Sequence, residues 1–453
     1  MDREISPLDG RYRERMDHLG DYFSEFALAR ARCAVELRYL DALDATGLFP
    51  PLTGDERSRI AAAGEAFTEA DFVRVKEIEG EIGHDVKACE LFLRERLTLA
   101  NLNMIHFGLT SADVNNLAHG LLLKGYRDEV QLPQLRELIG ALADLAERWR
   151  DVLFPARTHG QPASPTTAGK EIAVFLDRLL RQVEYLAAQR FRGKLNGATG
   201  TYAAFAVAFP DFDWIAFSGA FVSELGLEPS GCTTQVEGHD ALAEYLSIVS
   251  RINGVILDLD VDLWEYISRG EIVQTPAESE VGSSTMPHKV NPIRFENSEG
   301  NLVVSNALLG AFSERLTHSR MQRDLSDTTV KRNVGVALAH AYLAIDSAIR
   351  GLREVEIDPA AASAHVEETP EVLAEAFQTI LRVEGLEDPY ELLREATRGK
   401  APTLGQLHSW IDGLPVGDDV KARMKALRPS DYVGLAPRVC DAVLARARAW
   451  LTR

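Results

Sequence analysis

The sequence predicts an all-α protein: three helical domains, with long helices bundled in the central one. Three observations carry this. Apolar residues recur at helical spacing over stretches of thirty residues and more. Runs that alternate apolar and polar, as a half-buried strand would, are nearly absent. The two flanks read as shorter helices separated by turn signals, around a middle of longer helical runs.

Taken in order, the residues before about Asn103 form short helices separated by turn signals at Phe49-Pro50-Pro51 and from Gly80 to Gly83. Ser111 to about Trp149 reads as one long helix, with Leu117, Leu121, Val130, Leu135, Leu138, Leu142 and Leu145 near helical spacing and a bend expected at Pro133. Ser164-Pro165 looks like an N-cap and first helical position, opening a second helix to about Arg192. A third runs from about Gln235 to Ser268. Its middle, Ile252 to Leu263, is apolar on nearly every face, which implies burial on all sides. Asn291-Pro292 reads as the cap and start of a helix to about Arg315, and another spans about Asp327 to Arg350. After Leu352 the breaks return at Pro359, Pro370, Pro389, Pro402, Pro415 and Pro429. The expected domains are therefore residues 1–105, a 106–352 long-helix bundle, and 353–453.

A chain of 453 residues suffices for two or three domains, at roughly 150 residues each. Hydrophobic residues make up 46% and charged residues 26%, within the ordinary range for a soluble globular protein. Lys and Arg total 49 against 68 Asp and Glu, a net charge of −19. That balance argues against a nucleic-acid or membrane-surface binder, though a local basic pocket can still hold a small anion. Cys33, Cys89, Cys232 and Cys440 form no CxxC pattern. The first dozen residues contain no apolar core of a signal peptide, and no run of about 18 apolar residues would span a bilayer. The expectation is a cytoplasmic protein with reduced thiols.

Four polar clusters interrupt the apolar pattern: Gly83-His84-Asp85, Thr110-Ser111-Ala112-Asp113, Arg157 to Pro162 around His159, and Gly282 to Pro292 (GSSTMPHKVNP). The first two, taken alone, read as helix caps, with Asp85 as one cap and Thr110 to Asp113 as a capping box. The fourth is too polar for core and too rich in functional groups for a plain connector. Ser283 and Ser284 bring hydroxyls, Lys289 a positive charge, and Asn291-Pro292 a helix start whose free N–H groups favour anions. Such a set suits a reaction that builds negative charge on a carboxylate. His159, in a Gly- and Pro-flanked turn, is a natural proton partner. No metal-ligand spacing, phosphate-binding glycine loop, dinucleotide fingerprint or nucleophile elbow is present, so the expectation is acid/base chemistry without metal or cofactor.

Thr110-Ser111 begins the first long helix and His159 follows its end. About 38 helical residues at ~1.5 Å each would separate them by ~55 Å. If both serve one site, several copies of the chain must share it. A homo-oligomer with buried long helices is the expectation.

GSSTMPHKVNP resembles the signature of the fumarase/aspartase superfamily, and His288 after Met286-Pro287 resembles its adenylosuccinate lyase family. Other segments agree: SPLDGRY (6–12), HDVKA (84–88), TSADVNN (110–116), RTHGQPASPTTAGKE (157–171), the TTQ ending at Gln235, ENSEGN (296–301) and SRMQRDLSDTTVKRN (319–333). The resemblance runs over nearly the whole chain and is similar to the longer bacterial-type branch. It implies three all-α domains in a homotetramer with shared active sites. It also implies two eliminations of fumarate in purine synthesis: adenylosuccinate to AMP, and SAICAR (the succinyl-carboxamide imidazole ribotide) to AICAR.

Position by position, the resemblance makes Ser283 the base that takes the Cβ proton and His159 the acid that protonates the leaving nitrogen. Ser284, Lys289 and Asn291 fall in the segment that holds developing charge. Thr110, Ser111 and Gln235 match succinyl- or base-contacting positions, and His84 and Asp85 a pair near the reacting centre. Arg11, Tyr12, Arg323, Thr328 and Arg332 match nucleotide and phosphate positions. Asn297 stands where some relatives have an Arg that grips the succinyl group, and Thr328 where Ser is common. Two alternatives are weighed: an argininosuccinate lyase or other fumarate-releasing lyase, and a non-catalytic helical scaffold. The phosphate set Arg11, Arg323 and Arg332 disfavours the former, and the presence of the matched catalytic positions the latter.

Overall fold

The structure is a computed structural model that describes residues 3–275, 286, 289–397 and 402–452. It is predominantly helical. Among the described residues no helix is long and apolar enough to cross a membrane. The chain divides into two compact units. One comprises Met1–Gln134, Gln182–Asn253 and Gly300–Ala344; the other comprises Leu135–Arg181, Gly254–Glu299 and Ile345–Arg453.

In the first unit, helices Glu25–Ala45 and Ser111–Tyr126 are neighbours, and Glu69–Ile82 and Asp85–Arg96 pack together nearby. Gly83 ends the 69–82 helix at φ 68°, a conformation glycine adopts without Cβ strain, and its N–H caps the Glu79 carbonyl at 2.7 Å. The next helix is capped by His84, whose Nδ1 accepts the Lys87 N–H at 3.2 Å. This corrects the expectation of an Asp85 cap: Asp85 is the first helical residue, and its carboxylate is used elsewhere.

The helical run from Ser111 continues to Arg148, but with a π-turn at Arg127–Gln131 just ahead of Pro133. Proline removes one amide donor, and the widened turn takes up that irregularity. The turn is also anchored: the Tyr245 hydroxyl donates to Gln131 Oε1 at 2.8 Å.

The all-α class holds, and among the described residues three two-stranded sheets punctuate it. Leu153–Thr158 pairs antiparallel with Gln161–Thr167; Arg192–Gly193 pairs parallel with Glu228–Pro229; Ile272–Gln274 pairs antiparallel with Val355–Ile357. The first overturns the helix expected from Ser164-Pro165. That dipeptide lies in a strand, and the helix begins at Ala168. Pro162 and Pro165 hold the residues before them extended. The register shift between Phe154 and Ala156 falls at Pro155, a position with no amide donor to lose.

Two other boundaries also move. The helix expected from Gln235 starts at Asp240, leaving Gln235 in an irregular segment. The helix expected from Asp327 is split into Ser326–Lys331 and Val334–Arg353 by a tight turn at Arg332-Asn333. The Asn291-Pro292 start holds, with helix from Ile293 to Leu316. In the second unit, Leu373, Phe377, Leu381, Leu407, Ile411 and Met424 form one apolar core among the short C-terminal helices.

Candidate active site

In the first unit, chain segments far apart in sequence meet around one carboxylate. Asp85 Oδ2 accepts Arg32 Nη2 at 2.7 Å, and Arg332 Nη2 stands 3.7 Å from the same oxygen. Arg32 is nearly buried, and its Nε reaches Asn115 Oδ1 at 2.8 Å. Burial pushes the Asp85 carboxyl up, but Arg32, the Val86 N–H and Arg332 outweigh it and hold it below the usual carboxylate range. Asp85 is therefore an anion fixed by two cations.

Beside this pair is a small crevice walled by Arg32, Asn115, His119, His239, Arg323, Thr328, Lys331 and Arg332. A larger cavity of about 230 Å³ shares Leu28, Arg32, His119, Lys331 and Arg332 with it and continues among Phe23, Phe72 and Leu123. Burial, then the nearby Lys331 and Arg32 charges, push the His119 imidazole well below its ordinary value, so it faces this space neutral.

Thr110 opens the 111–126 helix as expected, and its N–H donates to Asp113 Oδ2 at 2.8 Å. Asp113 is fully buried; its carboxylate also accepts the Asn196 and Gly197 N–H groups and pairs with Lys194 at 2.9 Å. Lys194 Nζ in turn donates to the Gln235 carbonyl at 2.8 Å, while the Gln235 side chain donates to the Ala198 carbonyl at 2.9 Å. Thr110-Ser111 and Gln235 are thus tied through one buried ion pair. His84 is half exposed, its ring 3.8 Å from Asp85 Oδ1. Arg11 and Tyr12 sit in the N-terminal turn, with the Arg11 guanidinium 5.9 Å from the Tyr12 ring centre, and form no part of the crevice wall.

In the second unit, His159 and Gly160 form the two-residue loop of the 153–167 hairpin, between paired Thr158 and Gln161. Both have positive φ, 52° and 73°, the sign pattern of a tight hairpin turn matched to strand twist. His159 is exposed at the tip. Lys289 is also exposed, and the Asn291 carbonyl accepts the Ile293 N–H at 2.8 Å at the helix start. Asn297 Oδ1 accepts the Ser347 hydroxyl at 2.8 Å. Ser283, Ser284 and His288 lie outside the described residues. Among the described residues no group of three or more His, Cys, Asp or Glu is arranged to hold a metal ion.

Residues 10–309 match the family model described as lyase, and residues 319–433 the one described as adenylosuccinate lyase C-terminal. The chain is 44% identical to adenylosuccinate lyase of Escherichia coli strain K12, over 96% of this chain and 98% of that one. It is 41% identical to adenylosuccinate lyase of Dictyostelium discoideum, over 96% and 97%. The chain belongs to the adenylosuccinate lyase family. The fold is also similar to a fumarate lyase from Mesorhizobium sp. BNC1, with TM-score 0.76 at 21% identity over 95% of this chain and 97% of that one. A 3-carboxy-cis,cis-muconate lactonizing enzyme from Pseudomonas putida gives 0.75 at 21% over 96% and 98%.

For this member of the adenylosuccinate lyase family, sequence analysis singled out Asp85, Arg323, Thr328 and Arg332, and the structure brings them to one place. It missed Arg32, His119, His239 and Lys331 in the same walls. Arg32 lies in an Ala- and Arg-rich helix with no motif to mark it; Lys331 lay inside a quoted segment but looked like a solvated charge. His106, four residues before Thr110, was missed as well. It has φ 61°, and its Nδ1 bonds to the buried Glu36 carboxylate.

Proposed function

We propose that this chain is a C–N lyase that eliminates fumarate from adenylosuccinate, giving AMP, and from SAICAR, giving AICAR. The observation that carries this is the gathering of Arg323, Thr328 and Arg332 beside Asp85 on a chain whose 319–433 segment matches the adenylosuccinate lyase C-terminal family. A planar guanidinium bonds two phosphate oxygens at once, and a substrate of the amino-acid type would need no such grip.

In this reading Ser283 removes a proton from Cβ of the succinyl group. The electron pair forms the carbon–carbon double bond of fumarate, the Cα–N bond breaks, and His159 gives its proton to the departing nitrogen. Lys289 and Asn291 stabilise the charge that builds on the succinyl carboxylate before the bond breaks. Thr110, Ser111 and Gln235 contact the succinyl group or the base, Asn297 is a further substrate-binding position, His84 and Asp85 lie near the reacting centre, and Arg11, Tyr12, Arg323, Thr328 and Arg332 hold the nucleotide. The domains are residues 1–105, 106–352 and 353–453. The assembly is a cytoplasmic homotetramer in which several copies complete each site. Support for sharing is the helix-length argument: Thr110 and His159 flank one helical run from Ser111 to Arg148.

The test follows the loss of adenylosuccinate absorbance with purified protein, with argininosuccinate as control. Turnover of argininosuccinate alone would replace this reading. A dilute species that scatters light as a monomer and keeps full activity would remove the shared-site part.

A further inference from the structure

The short helix Ser326–Lys331, together with Arg332 that ends it, carries two interleaved pairs of residues. Thr328 and Arg332 are four apart, and the Arg332 N–H bonds the Thr328 carbonyl at 3.2 Å, so both belong to one face. Asp327 and Lys331 are also four apart, one residue earlier, and form the adjacent face. This second pair is turned inward: Lys331 Nζ lies 2.7 Å from Asp327 Oδ2, and both side chains are nearly buried.

Asp327 makes further bonds. The ring Nε2 of His239 is 3.4 Å from Oδ2, and the Thr328 hydroxyl donates to Oδ1 at 3.3 Å. His239 has φ 60°, a conformation that costs a non-glycine residue energy and persists where surroundings over-determine it. Its N–H is held by Glu237 Oε2 at 2.8 Å. Four residues earlier stands Gln235. Asp327 therefore joins the segment bearing Thr328 and Arg332 to the one bearing Gln235, and touches the Thr328 hydroxyl directly.

We propose that Asp327 is the positioning residue of the phosphate end of this site: it sets Thr328 and Arg332 in place without meeting substrate itself. This rests on the reading of Thr328 and Arg332 as phosphate ligands. The chemistry requires a carboxylate. Its two oxygens offer about four acceptor sites, and here they face three donors. An amide would turn a donor toward donors and take from the buried Lys331 ammonium its ion-pair partner.

The test compares the full-length protein with Asp327→Asn and Arg332→Gln, using AMP and adenosine as competitive inhibitors. Arg332→Gln should weaken AMP about tenfold or more, the size of one charged hydrogen bond, and leave adenosine nearly unchanged. Asp327→Asn should show the same selective loss, with kcat within about twofold, since an interaction made equally in ground and transition states alters KM alone. Equal weakening of AMP and adenosine by Asp327→Asn would make its role merely structural and overturn the proposal. So would unchanged AMP binding. If Arg332→Gln itself shows no selectivity, the phosphate reading fails first and the proposal with it. Should Asp327→Asn not fold, Asp327→Glu decides by the same criteria, because it keeps a carboxylate for Lys331 while displacing it from the Thr328 hydroxyl.

Discussion

Asp113 and Lys194 form an ion pair at 2.9 Å with no solvent exposure of either side chain, and each holds one of the site's loops. Asp113 receives the Thr110 N–H and Lys194 reaches the Gln235 carbonyl. Burial drives the Lys194 amine below its ordinary value, while Asp113 works in the opposite direction. Removing one partner strands the other in a dry environment. Lys194→Met should therefore cost about 3 kcal/mol of stability, read as a lowered urea midpoint at unchanged slope. A midpoint within error of the parent would show that the backbone donors around Asp113 suffice alone.

The hairpin tip allows fold and chemistry to be separated. Asparagine tolerates positive φ, and Asn-Gly is the favoured two-residue turn. His159→Asn should keep the hairpin and its unfolding midpoint while turnover falls by about 10²- to 10⁴-fold, the usual worth of a general acid. Gly160→Ala should do the reverse, costing about 1 to 2 kcal/mol for a Cβ in the left-handed region with His159 still present. If His159→Asn retains turnover, the acid is another residue.

Asp260 lies inside the 240–268 helix, in the stretch whose sequence is apolar on nearly every face. It is buried, and neither carboxyl oxygen has a hydrogen-bond partner among the described residues. Burial pushes its pKa well above the ordinary value of 3.8. A raised folded pKa means the native state keeps the proton longer than the unfolded chain, so stability present in acid is lost as pH rises. Asp260→Asn, a neutral isostere, should gain on the parent by up to about 1.4 kcal/mol per pH unit between the two values. Unfolding curves at several pH values test this. A difference that does not change with pH would show that Asp260 is not held protonated.

His106 gives a second pH signature. Burial lowers its pKa, but the Glu36 carboxylate more than reverses this, and the net value is raised above 6.5. The stabilisation is fully present below the unfolded value and fades as pH climbs through the raised one. The margin by which the parent exceeds His106→Gln in stability should therefore be larger at pH 6 than at pH 9. A constant margin would mean the ring is neutral throughout.

How much of the site was legible depended on whether the signal was local. Gly83 and Thr110 to Asp113 announce helix ends because capping chemistry acts within four residues. Pro133 announces an irregularity, which the structure places just upstream as a π-turn. Ser164-Pro165 misled, because the same dipeptide suits a helix start and an extended strand; pairing with Leu153–Thr158 decided between them. Asp85 looked like a cap until Arg32, from 53 residues away, claimed its carboxylate.

The sequence by itself determined the helical class, the acidic surface balance and the family, for periodicity, composition and motif are all written in neighbouring residues. Only the tertiary structure decided which charges are solvated and which are buried. Nothing in the residues around Lys194 or Lys331 marks either as buried. They became structural cations because Asp113 and Asp327 were folded against them, and burying an amine is tolerable only with its counter-charge in place.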